Sequence, residues 1–110
     1  MKKLALLLLL AATPAFAHAK LVSSDPAANA SIKSPTMIKL TFSESLEPTF
    51  STASLSDSAG KTLPVPKSVG GPTITLLPIR LKPGTYHVNW QAVGHDTHKL
   101  SGNFGFKVIP

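Results

Sequence analysis

The chain has no cysteine. That excludes disulfides, thiolate zinc sites and thiol catalysis, so a secreted form must be held by its core alone. Methionine is nearly absent: Met1 and Met37 are the only two. Clusters of soft thioether metal ligands are therefore excluded. Acids number five against eleven Lys and Arg. The lysines from Lys20 to Lys107 are spread along the chain, with no cluster interleaved with aromatics, so nothing points to nucleic acid. A mildly basic surface is the favoured reading. No apolar run reaches the roughly 20 residues that span a membrane. The longest uninterrupted one at the start, Leu4 to Ala12, has nine.

What is present begins with that short run. Lys2 and Lys3 precede it, and Ala15-Phe16-Ala17 follows as a small-x-small cleavage signal. This is the pattern of a secretory signal peptide spanning residues 1–17. Its removal leaves residues 18–110 as one exported domain beginning at His18, with a formal charge of +4.

Pro and Gly punctuate the remaining chain, which argues against long helices. Between them the pattern alternates. Ile38, Leu40 and Phe42 share one face; so do Tyr86, Val88, Trp90 and Ala92, and so do Phe104, Phe106 and Val108. A period of two with one apolar face marks half-buried strands. Weaker candidates are Ala19–Ser24, Thr52–Ser56, Lys61–Val65 and Thr73–Leu77. About seven short strands predict an all-β antiparallel sandwich. Tyr86 follows the turn Leu81-Lys82-Pro83-Gly84, where immunoglobulin-like sandwiches place a tyrosine whose hydroxyl bonds back to the backbone. Met37, His87 and Trp90 are read respectively as packing in or beside a strand, solvent-facing, and core.

The chemistry-bearing stretch is Gly94-His95-Asp96-Thr97-His98. Asp96 and His98 are two apart, so in an extended segment they project from one face, with His95 on the other. The flanking glycines place the stretch in a loop or strand end between Gln91 and Phe104. A lone Asp-x-His is a weak signal, and a solvated loop accounts for it equally well. His18 changes the balance. As a first residue it offers an amine and an imidazole, which close a six-membered chelate ring on one ion. With Asp96 and His98 the set is three nitrogens and one oxygen. That suits a tetragonal Cu(II) site better than tetrahedral zinc. His95 is a solvated rim residue or a spare donor.

These residues carry a family resemblance. His18-Ala19-Lys20-Leu21-Val22-Ser23-Ser24-Asp25-Pro26-Ala27 resembles the mature start of the bacterial periplasmic copper-resistance protein CopC family. So do Leu40-Thr41-Phe42-Ser43-Glu44, Leu81-x-Pro-Gly-Thr-Tyr86, Val88-x-Trp90 and Asp96-Thr97-His98-Lys99-x-x-Gly102-x-Phe104. The resemblance implies a Greek-key sandwich or barrel of the immunoglobulin-like, cupredoxin-like type. It implies His18, Asp96 and His98 as ligands of one Cu(II) per chain, with Glu44 as a weaker ligand or a group supporting the others. It implies a monomeric, non-enzymatic carrier or buffer, with a CopD-type inner-membrane copper transporter as partner. Some members also carry a methionine-rich loop for Cu(I). The corresponding stretch here, Ser51 to Val69, contains no Met or His. The competing class is a histidine-brace oxidative enzyme of the polysaccharide monooxygenase type. Asp96 as a hard anionic ligand and the shortage of exposed aromatics disfavour it.

Overall fold

The computed structural model describes residues 19–110. The expected signal peptide and His18 therefore lie outside the described residues. Nine strands appear: β1 (Leu21–Asp25), β2 (Ser31–Ile32), β3 (Ile38–Phe42), β4 (Thr52–Ser56), β5 (Thr62–Leu63), β6 (Lys67–Gly70), β7 (Thr73–Leu76), β8 (Gly84–Val93) and β9 (Lys99–Val108). They form two sheets, one ordered β1-β3-β7-β6 and the other β2-β9-β8-β4-β5. Among the described residues no helix is long and apolar enough to cross a membrane.

The alternation in the sequence explains how the sheets face each other. Ile38, Leu40 and Phe42 of β3 are buried while Lys39 is exposed. Ile74 and Leu76 of the neighbouring β7 lie beside them, and Leu55 of β4, Tyr86, Val88 and Ala92 of β8 and Phe106 and Val108 of β9 come from the other sheet to meet them. Each such side chain contributes about 1.5–3 kcal/mol on burial. Tyr86 stacks on Phe106 at 6.0 Å, and its hydroxyl donates to the Lys82 carbonyl at 2.7 Å, as its position predicts. Trp90 is half-buried, edge-on to Phe42 at 5.2 Å.

Three expectations change. Two strands were not legible: β2 is two residues long and pairs with β9 in parallel, and β6 is a polar edge strand. β9 begins at Lys99, not near Asn103, because Gly102 is not a loop residue. It pairs with Trp90, and a Cβ there would lie 2.5 Å from the indole, so glycine is what lets the ring lie across the neighbouring strand. Met37 stands just before β3 and is 51% exposed, not packed.

Candidate metal centre

β8 and β9 form a hairpin of ten register pairs, from Gly84↔Val108 to Val93↔Lys99. Its length carries residues 94–98 to one end of the sandwich as a tight connection. The Thr97 amide donates to the Gly94 carbonyl at 3.0 Å, and Thr97 takes a left-handed φ of 65°. The stretch is thus a turn, which corrects the extended geometry assumed from the sequence. Asp96 and His98 still meet, by a different route. One Asp96 oxygen, Oδ1, accepts the His98 amide at 3.2 Å. The other, Oδ2, lies 3.0 Å from His98 Nδ1. An aspartate bonding a backbone amide two residues on is the usual local chemistry of such turns. The Asp96 side chain is 22% exposed and that of His98 64%. With Nδ1 turned to the carboxylate, Nε2 faces away from it.

His95 points to a different partner, Glu47, with Nδ1 and Oε2 3.1 Å apart. Glu47 belongs to the connection between β3 and β4, which is tied to the hairpin end. Its amide donates to the Val93 carbonyl at 2.8 Å. Ser51, buried, accepts from the Val93 amide at 3.0 Å and donates to the Val93 carbonyl. Both backbone groups of Val93 are thereby satisfied where the ladder ends. Glu44 lies on Gly94: a Cβ at that glycine would sit 2.9 Å from the carboxylate carbon.

The described chain starts at this same end. Ala19 is buried, and Lys20 is fastened to Ser43, amide to hydroxyl at 2.9 Å and carbonyl to amide at 2.8 Å. Ser43 adjoins Glu44. So the start of the described chain, Glu44, Glu47, His95, Asp96 and His98 all belong to one end. Among the described residues no three His, Asp or Glu side chains form a group that could hold a metal ion. The structure brings Asp96 to His98 and Glu44 to Gly94. His18 precedes the first described residue. Glu47 was missed in the sequence; its spacing in Glu44-x-x-Glu47, in a chain with so few acids, was the available signal.

The family model described as CopC domain matches residues 21–109. The chain belongs to the CopC family. It is similar to copper resistance protein C of Xanthomonas campestris pv. juglandis, 38% identical over 109 residues, covering 90% of this chain and 86% of that protein. Copper resistance protein C of Pseudomonas syringae pv. tomato is 40% identical over 102 residues, covering 84% and 81%. Among solved structures, CopC from Methylosinus trichosporium OB3b superposes with a TM-score of 0.79 at 31% identity, covering 84% of this chain and 95% of that one. PcoC from Escherichia coli, described as a methionine-rich copper resistance protein, gives 0.74 at 37% identity, covering 84% and 100%. The CopC fold is thus the β-sandwich expected from the alternation. This chain departs from PcoC in its two methionines.

Proposed function

We propose that the protein is a periplasmic copper-binding protein of copper resistance and homeostasis, which sequesters or carries one Cu(II) per chain. Residues 1–17 direct export and are removed. The new terminus at His18 supplies an amine and an imidazole, and the turn supplies His98 and Asp96. The observation that carries this reading is the Asp96–His98 pair, held within 3.0 Å at the end of the sandwich where the described chain begins. A carboxylate on Nδ1 orients the ring and raises the basicity of its other nitrogen, so His98 Nε2 is the donor. Asp96 then acts either from that position or as a direct ligand after a small swing. Glu44 supports the turn from the side of Gly94. Nitrogen and oxygen donors without sulfur suit Cu(II), and the shortage of methionine leaves Cu(I) poorly held. The bound metal is cargo, passed on to a CopD-type membrane transporter, and the protein works as a monomer without catalysis.

The test is a Cu(II) titration of the chain beginning at His18, followed by electron paramagnetic resonance. One tightly bound equivalent with a tetragonal, nitrogen-coupled signal is expected. A strong sulfur charge-transfer band, or no stoichiometric uptake, would overturn the reading.

A further inference from the structure

We propose that the end of the sandwich opposite the Asp96–His98 turn docks on an anionic phospholipid leaflet. The inference rests on the far end alone and stands independently of the copper reading.

Strand directions sort the charges. The end holding the 94–98 turn carries Glu44, Glu47 and Asp96 against Lys20 and Lys99. Every other charge of residues 19–110 lies in the opposite half, seven cations against two acids. Asp25 is in register with Lys39, and Asp57 shares a turn with Lys61. Asp57 also lines the pocket that Arg80 and Lys82 border, but the half keeps a net charge of +5 (seven cations minus two acids), carried by Lys33, Lys67, Arg80, Lys82 and Lys107. They converge because β2 and β9 finish there, β6 starts there, and the connection from β7 to β8 crosses it.

The same end exposes apolar side chains. Ile79 is 83% exposed, Met37 51%, Leu77 44% and Ile109 38%. Ile79 and Arg80 protrude from a connection pinned on both sides. Pro78 and Leu81 are buried, the Leu81 amide donates to Ser34 Oγ at 2.8 Å, and Tyr86 holds the Lys82 carbonyl. Arg80 has a φ of 47°, a conformation non-glycine residues seldom adopt. Folding alone has no use for an isoleucine held rigidly in water beside two cations.

Cations at headgroup level with aliphatic side chains reaching the acyl boundary are the chemistry of a protein resting on an anionic bilayer. Nucleic acid is a poorer fit, because bases are held by stacking aromatics and the exposed apolar groups here are aliphatic.

The test is co-sedimentation of the protein lacking residues 1–17 with vesicles rich in phosphatidylglycerol, with pure phosphatidylcholine vesicles and duplex DNA in parallel. Binding to the anionic vesicles is expected, weakening as salt shortens the screening length from about 30 Å at 0.01 M to about 8 Å at 0.15 M. Each basic residue at a leaflet contributes about fivefold, so Arg80→Gln with Lys82→Gln should weaken binding roughly 25-fold. Lys33→Gln with Lys67→Gln serves as a second pair that leaves the pinned connection untouched. Ile79→Ser should cost roughly tenfold. Lys20→Gln with Lys99→Gln, at the other end, should change little. Equal losses from the two ends, equal binding to phosphatidylcholine, or DNA binding as tight and insensitive to Ile79→Ser would each overturn the proposal.

Discussion

The end of the sandwich at residues 94–98 gathers three of the chain's five acids and two of its four histidines. The end at residues 77–83 gathers most of its cations and most of its exposed aliphatic side chains. Both ends are built from connections that join strands of the same two sheets. At the first, side chains bond to each other, His98 to Asp96 and His95 to Glu47. At the second, the backbone is fastened by Ser34 and Tyr86, and the charged side chains are left pointing into solvent. One end pairs its charged and imidazole side chains with each other. The other is organised to present a surface.

The largest way to break this comparison is at His98. His98→Ala removes an imidazole donor from the acidic end and should weaken Cu(II) binding by at least about 100-fold, while His87→Ala, on an exposed sheet face, should leave it unchanged. A competition titration measures both. Next is Gly102→Ala. Its Cβ would meet the Trp90 ring at 2.5 Å, and that ring is also packed edge-on with Phe42 at 5.2 Å. Overpacking of this kind costs about 1–3 kcal/mol, a fall of several degrees in Tm.

Tyr86→Phe tests the basic end. It removes the donor to the Lys82 carbonyl and should cost about 1 kcal/mol. It should also loosen the connection that presents Ile79, so vesicle binding should fall together with Tm. Gly94→Ala returns to the acidic end. The atoms nearest its Cβ are those at the far end of the Glu44 side chain, which can move. Stability should change by less than about 1 kcal/mol, well below the Gly102→Ala loss. A measurable drop in Cu(II) affinity would mark the displaced carboxylate as a supporting group. Smallest is Glu47→Gln. The His95–Glu47 pair is exposed, so its loss should cost at most about 0.5 kcal/mol by thermal melting.

The alternation made β3, β4, β7 and β8 legible, because each has one buried face and a period of two. β2 and β6 escaped for the same physical reason. Ser31–Ile32 is too short to show a period, and Lys67-Ser68-Val69-Gly70 is a polar edge with little to bury. Gly102 read as a loop residue because its role depends on Trp90, twelve positions earlier in sequence and directly opposite in register. At the site, Asp96 and His98 were legible as residue types, but not as a turn: the left-handed Thr97 carries no sequence mark. The pairing of Glu47 with His95 was illegible because it depends on two distant connections meeting. The basic end was hidden for the same reason. Its cations are scattered from Lys33 to Lys107 and meet only when the strands are ordered.

The central claim is that the acidic end becomes a copper site when export exposes the amine of His18. The measurement is a Cu(II) competition titration of two chains, one beginning at His18 and one retaining Ala17 before it, with circular dichroism on both. The added residue turns the amine into an amide and removes the chelate ring, but leaves both imidazoles and Asp96. The account predicts the same fold in both chains and a loss of at least about 100-fold in Cu(II) affinity for the longer one. Equal affinity in the two would show that the amine is not a ligand, and would contradict it.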